Sequence, residues 1–485
     1  MLRDKLGEFT IYSESLVEQD GTTYLLVKEP DALTKKLAVN GDERGFSGER
    51  HPGSGAMLCP LTPENAEALR QRLPWLRPVP LGLATSFGYG DRLGIATPGH
   101  ILAAREAKAA AIFAQQSVRE NARIGRTPQQ VMDDAMWGVF QAGWREPWGS
   151  DADHMKATGD IDAFIAAGYT GFTIDPGDYV DDGAETADDA TLRAKVEALP
   201  WPELDSSPEA LRQQFSSTFQ LDELTLMFDE RTIYKAAAKY GGALAHTVRM
   251  ARELKRRKGD TPFDLEMSVD ETNTMTTLHE HFYIASELRR LGIGITSLAP
   301  RFVGRFEKGI DYIGDLDELD RNIAGHAAVM RYFGSRYKLS VHTGSDKFGV
   351  YPIALKHTGG CVHVKTAGTS YLEALRVMAS VDPALFRQVL DFSRTRFERD
   401  RVTYHISGKL ENVPESAALS DADLPGLLNQ NDARQVLHVT FGSVLDTFGE
   451  PLRRMLREHE AEYLAAIKAH FDRHLAAFRK PASHA

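Results

Sequence analysis

From residue 81 to about residue 370 the chain repeats one unit: a short apolar run, a polar residue at its end, then a helical stretch. The runs are "LGLATSF" (81–87), "AAIFAQQ" (110–116), a weaker one in "GSDADH" (149–154), "GFTIDP" (171–176), "FDLEMSVD" (263–270), "GITSLAP" (294–300), "KLSVHTG" (338–344) and "VHVKTAG" (362–368). A strand followed by a helix, again and again, builds a parallel sheet, because each helical crossover carries the chain back to the end of the sheet where the previous strand began. Eight such units predict an α/β fold, a closed (β/α)8 barrel of the TIM type. The alternative is an open, doubly wound sheet.

The flanks break this rhythm. Residues 1–80 read as a β-rich extension, with "TTYLLVKE" and "KKLAVNG" as strands and Thr62 capping a helix in "TPENAEALRQRL". Residues 178–260 exceed one strand–helix step and read as an acidic helical insertion, expected to cap the barrel mouth. Residues 371–485 read as a C-terminal helical region.

The formal net charge of -11 gives no electrostatic support to nucleic-acid binding. No run of about 18 apolar residues predicts a membrane span, and the N-terminus lacks the apolar core of a signal peptide. Cys59 and Cys361 form no paired motif, which fits a reducing cytoplasm. "GYGDRLG" (88–94) has the wrong spacing for a dinucleotide fingerprint, and no acidic strand end follows at the needed distance.

In such a barrel, chemistry collects at the C-terminal ends of the strands. Reactive side chains stand there on six consecutive strands: Asp151, Asp153 and His154, then Asp175, then Asp264, Glu266, Ser268 and Asp270, then Arg301 and Glu307, then His342 with Ser345, Asp346 and Lys347, then His363 and Lys365. Each has an ordinary reading. Asp151 suits a helix cap, Asp175 a turn, and His363 a neutral core position. Asp264 suits a pair with a barrel cation. Glu266 points into a barrel and needs a partner there. His154, His342 and Glu307 together offer two nitrogens and one oxygen to a divalent metal. The loops after the last two strands suit an anion, as they do in many barrels. Arg119, Arg123 and Arg126 read as solvated helix charges, any of which suits a carboxylate.

"ATSFGYGDRLGIATPGH", "IFAQQSVREN", "DDAMWGVFQAGW", "DADHMK", "SVDET", "EKGIDYIGDL", "HTGSDKF", "HVKTAGTSYLEA" and "DLPGLL…HVTFGSVL" together resemble the tagaturonate/fructuronate epimerase family, over residues 80 to 470. The resemblance implies a metal-dependent isomerase that interconverts D-tagaturonate and D-fructuronate. Relatives are also usable on uncharged ketohexoses as tagatose 4-epimerases. It implies Asp153 as proton acceptor, Glu266 as proton donor, and His154, Glu307 and His342 as metal ligands, with Asp270 or Glu271 as substitutes for Glu307. Arg301, Ser345, Asp346 and Lys365 are candidates for substrate binding. The metal is a divalent cation, with Zn, Mn, Ni, Co and Fe undistinguished. The expected partner is a small ketouronate or ketohexose; self-association is left open.

The implied reaction inverts a carbon β to the ketone, whose C–H is not activated by simple enolisation. Retro-aldol cleavage of the C3–C4 bond, rotation of the aldehyde and re-addition would invert it. A Lewis acid and a paired base and acid would be needed. Two other readings are a Schiff-base aldolase using Lys365 and a non-catalytic sugar-acid binding protein.

Overall fold

In the computed structural model eight strands close on themselves: β1 Ser86–Gly90, β2 Ala110–Ser117, β3 Trp148–Met155, β4 Gly171–Ile174, β5 Asp264–Ser268, β6 Ser297–Ala299, β7 Lys338–Val341 and β8 Val362–Thr366. The structure describes residues 2–30 and 33–479; Met1, residues 31–32 and residues 480–485 of the flanking regions lie outside it. Every pair is parallel, and β8 returns to β1 with Val364 opposite Phe87. The barrel is thus closed, not open. Alternation within β1 shows how the pattern works. Phe87 and Tyr89 face outward and are buried among Phe113, Tyr351 and Phe471. The positions between them are small. At Gly88 the side-chain amide of Gln115 occupies the space a Cβ would take.

The first strand begins later than its apolar run. The Asp264 carboxylate accepts hydrogen bonds from the backbone N–H groups of Leu81 (2.6 Å) and Gly82 (3.1 Å), which holds that end in a turn. Asp264 therefore serves backbone amides where a barrel cation was the expected partner. The weak third run is a full strand of eight residues.

In the N-terminal extension, strands Thr22–Lys28, Lys35–Asn40 and Met57–Pro60 form the centre of an antiparallel sheet. The helix Pro63–Arg72 follows, and the Thr62 side chain caps it through Asn65 N–H. After β4, short helices and a hairpin (Thr218–Leu221, Leu224–Met227) lead into a 29-residue helix, Glu230–Lys258, capped by Asp229. The end of this helix returns to the barrel, where Lys258 lies over the Phe172 ring of β4. Leu192, Val196, Leu211 and Phe215 of the preceding segment pack with Tyr240, Phe282 and Tyr283 into a separate apolar cluster.

The C-terminal region adds helices Pro383–Asp400, Asn431–Val439, Phe441–Glu458 and Glu460–Leu475. The last of these packs against Thr97–Ala104 and Thr369–Val381, the helices that follow β1 and β8. It covers the seam where the first and last barrel units meet. Among the described residues no helix is long and apolar enough to cross a membrane.

Candidate active site at the barrel mouth

Inward-facing residues of β3, β4, β5 and β8 meet around one ammonium group. Lys365 Nζ lies 2.6 Å from Asp151 Oδ2, 2.8 Å from Asp153 Oδ1 and 2.8 Å from Glu266 Oε1, and it also donates to the Thr173 hydroxyl. All four charged residues are buried. Burial opposes the charge on Lys365, but the three carboxylates outweigh it and hold the ammonium well above its ordinary range. Burial likewise works against an ionised Glu266, and Lys365 with His342 outweighs it, so that carboxyl lies well below its ordinary range. Asp153 is held low in the same way, by His154 and then Lys365. Asp151 shifts the other way because burial dominates. It is an ion-pair partner of Lys365, not a helix cap.

One layer further out sits the histidine pair. Glu266 Oε1 lies 2.6 Å from His342 Nε2, and Asp270 Oδ1 lies 3.1 Å from His342 Nδ1. His154 Nδ1 bonds Asp153 Oδ1 at 2.7 Å, while its Nε2 lies 3.7 Å from Asp270 Oδ1. His154 (φ 54°) and Thr343 (φ 49°), the latter directly after His342, both adopt the left-handed backbone that side-chain-bearing residues rarely occupy. Such strain at two converging strand ends accords with a site whose geometry matters more than local stability.

One nitrogen, one oxygen and one nitrogen of His154, Asp270 and His342 lie within 4.8 Å of one another. His154 Nε2 is buried and makes no hydrogen bond. An orphaned imidazole nitrogen next to a second imidazole and a carboxylate fits a divalent cation. Glu307 is not part of this grouping. Its Oε2 accepts from Ser407 N (2.7 Å), Ser407 Oγ (2.7 Å) and Gln435 Nε2 (3.0 Å), although its residue lines the same cavity. Glu271, the other substitute, is paired with Arg119 at 2.8 Å.

That cavity, of about 370 Å³, opens above His342 and Asp270. Residues 300–308 after β6 form one wall, and Thr403, Tyr404, His405 and Ile406 of the C-terminal region form the other. None of residues 178–260 lines it, which corrects the expected cap. The insertion packs beside the barrel because its apolar residues match the Phe282 face. It meets the loops around the mouth where Asp182 accepts from Asn273 and Thr274 N–H groups, Asp178 pairs with Lys156 at 2.8 Å and Lys239 donates to the Met275 carbonyl at 3.0 Å.

The remaining candidates divide. Arg301 lines the cavity and rests on the Asp270 carbonyl at 3.3 Å. Ser345 is turned toward Ala367, accepting from its N–H and donating to its carbonyl. Asp346 faces away from the cavity, into Arg434, His470 and His474. Lys347 donates to the Glu307 and Ser345 carbonyls, and burial lowers it to about 8. Asp175 accepts from Gly177 N–H, the turn expected of it. His363 bonds Ser86 inside the barrel, and burial lowers it to about 3, as a neutral core histidine. Arg123 reaches Tyr404 and Thr403, and Arg126 pairs with Asp134.

A closed (β/α)8 barrel with a buried acid–lysine centre, a histidine–carboxylate trio and a polar cavity at its C-terminal face defines a class: a barrel enzyme with an ionisable site at the mouth. Comparison with known proteins narrows it. The family model for UxaE, tagaturonate epimerase, matches residues 12–478. A protein of Thermotoga maritima named tagaturonate/fructuronate epimerase is 42% identical over 483 residues, covering 98% of both chains. Crystal structures of fructuronate-tagaturonate epimerase UxaE from Cohnella laeviribosi, one with glycerol and one native, superpose with a TM-score of 0.92 at 37% and 36% identity, covering 98% of both chains. The chain belongs to the UxaE tagaturonate epimerase family and is a carbohydrate epimerase, an isomerase.

Proposed function

We propose that this chain interconverts D-tagaturonate and D-fructuronate with a divalent cation, by retro-aldol cleavage and re-addition, and that D-tagatose and D-fructose are poorer substrates of the same site. The observation that carries this reading is the adjacency of two ionised, buried carboxylates, Asp153 and Glu266, to the His154–Asp270–His342 trio, in which His154 Nε2 is buried without a hydrogen bond. His154, Asp270 and His342 would hold the cation, with Asp270 in the place the sequence reading gave to Glu307. When bound, the cation supplies Lewis acidity toward the substrate ketone and its neighbouring hydroxyl.

The chain's own groups handle the proton. Asp153, held ionised, accepts the C3 hydroxyl proton as the C3–C4 bond breaks. Lys365, in contact with both carboxylates, takes that proton from Asp153 and gives one of its own to the ionised Glu266, which delivers it to the C3 oxygen after the aldehyde has rotated and the bond has re-formed. Lys365 Nζ contacts both carboxylates, so proton loss on one side and gain on the other balance across it. A lysine held protonated by three carboxylates is a poor amine nucleophile, which speaks against the Schiff-base reading. Borohydride with substrate should therefore leave Lys365 unmodified.

The test uses D-tagaturonate carrying deuterium at C3, incubated with protein and several divalent metals, with products resolved by chromatography. Retro-aldol chemistry never breaks the C3–H bond, so the epimer should retain the label. In D2O no solvent deuterium should enter C3. Loss of the label during turnover would overturn the mechanism, and absence of any epimer with every metal would overturn the function.

A further inference from the structure

In many (β/α)8 barrels an anionic group of the substrate binds at the loops after the last two strands, on free backbone N–H groups. Here that corner is occupied by the protein itself. The Ala367 N–H is taken by Ser345 Oγ at 3.0 Å. Over Gly368 (φ 81°) lie the Arg92 guanidinium and the His438 ring, each 2.6 Å from where a Cβ would stand. Arg92 is buried and paired with Glu120 at 2.5 Å. Two buried side chains thus fill the space over the glycine of this loop.

Positive charge without a carboxylate partner stands elsewhere, on the β6 side of the cavity. Four cationic side chains line it: Arg119, Arg301, Arg305 and Lys308. Arg119 is spent on Glu271. Arg305 is 60% exposed and lies 3.6 Å from Glu307. Lys308 donates only to a neutral acceptor, Thr343 Oγ1 at 3.0 Å, and Arg301 only to the Asp270 carbonyl. Among the described residues neither lies within ion-pair distance of a carboxylate. Each is thereby tied to a residue of the centre: Lys308 to the neighbour of His342, Arg301 to Asp270 itself.

We infer that Lys308 and Arg301 form a carboxylate subsite that makes this chain select a free sugar acid over both the neutral ketose and a sugar phosphate. This deepens, and rests on, the epimerase reading above. A substrate whose ketone end faces the histidine trio places its far end in this part of the cavity. There two cations that are only partly hydrated can each gain a charge-assisted hydrogen bond. A neutral ketose offers neither cation a charge, and the larger dianionic phosphate finds the usual phosphate corner filled.

The experiment compares wild type, Lys308→Met, Arg301→Met and Lys308→Arg, all metal-loaded, on D-tagaturonate, D-tagatose and D-tagatose 6-phosphate. Binding of D-tagaturonate is measured by calorimetry beside turnover. Loss of a charged partner predicts a roughly 100-fold fall in kcat/KM for the uronate in Lys308→Met, mostly through KM. Arg301→Met should fall in the same direction. In Lys308→Met, metal content and D-tagatose activity should stay within about threefold. Lys308→Arg should recover much of the loss, and the phosphate ester should neither react nor compete at millimolar concentration. Equal losses on uronate and ketose, or an unchanged uronate KM, would overturn the subsite while leaving the epimerase reading intact. Uronate binding that depends on Lys308 without turnover would uphold the subsite and overturn the epimerase reading. Wild-type protein that neither binds nor converts the uronate overturns both.

Discussion

Among the described residues two places bring two histidines and an aspartate within 4.8 Å: His154, Asp270 and His342 at the mouth, and Asp346, His470 and His474 at the seam. By composition they are the same. Their bonding separates them. At the seam His474 Nε2 accepts from Asp346 N–H at 2.8 Å, and its Nδ1 bonds the His470 carbonyl at 3.0 Å. His470 has Thr369 and Asp346 on one nitrogen and Glu373 on the other. Arg434 already places a permanent cation 2.9 Å from Asp346. At the mouth His342 is likewise bonded on both nitrogens, but His154 Nε2 makes no hydrogen bond and a cavity lies beside the trio. Residue type therefore does not mark a metal site. An unsatisfied ligand atom near an opening does.

The strongest way to break this comparison is to remove one member from each cluster. His342→Ala and Asp270→Asn should lose most bound metal and nearly all activity while remaining folded. His474→Ala should keep its metal per folded molecule. Elemental analysis of the purified variants decides it, and metal lost from His474→Ala rather than His342→Ala would reverse the two assignments.

Next in size come the proton groups. Glu266→Gln and Asp153→Asn should each retain metal and lose roughly 10²-fold or more in kcat, the scale of a lost general acid or base. Near-native turnover in either would remove its role. Glu307→Gln belongs beside them as a control on the ligand set. Its carboxylate is already held by Ser407 and Gln435, so metal content should not change. Loss of metal there would restore Glu307 as a ligand.

Asp346→Asn should act on stability. Arg434 is left buried beside a weaker acceptor, and removing one charge of a buried pair costs about 3–5 kcal/mol. Urea unfolding should show the loss, with metal per folded molecule unchanged.

The barrel was legible because its signal is periodic and local: each strand's apolar run stands in the sequence whatever the neighbours do. The acid–lysine centre was partly legible for the same reason, since Glu266 and Lys365 sit inside strands whose alternation points them inward. What could not be read was pairing across the chain. Asp346 lies in a loop that looked like a substrate loop, and only the arrival of His470 and His474, more than a hundred residues later, turns it to the seam. Thr403 to Ile406 carry no motif, yet they close the cavity. The insertion looked like a cap because it is acidic and follows a strand end, but its buried face fits the helix Leu278–Arg290 better than open solvent above the mouth.

The smallest expected effect tests the far end of the seam helix. Glu460, at its start, receives Lys35 at 2.7 Å, Lys28 at 3.2 Å and the Tyr12 hydroxyl at 2.7 Å, all from the N-terminal extension. Burial opposes its charge, but Lys35 outweighs burial and brings the carboxyl down to about 2 from an ordinary 4.5. A folded-state value depressed in this way contributes stability above the unfolded value, and the contribution fades as pH falls from about 4.5 toward about 2. Glu460→Gln should therefore cost about 1–3 kcal/mol at neutral pH, the cost of weakening a hydrogen-bonded charge. The gap to wild type in urea midpoint should hold steady from pH 7 to 5 and narrow below pH 4.5. Metal content should not move, since the mouth does not share these contacts. A gap that stays constant into acid would mean that Glu460 stabilises the seam by packing rather than by charge. A gap that widened would mean that the charged form is a burden there, and that the extension is held to the last helix by its other contacts.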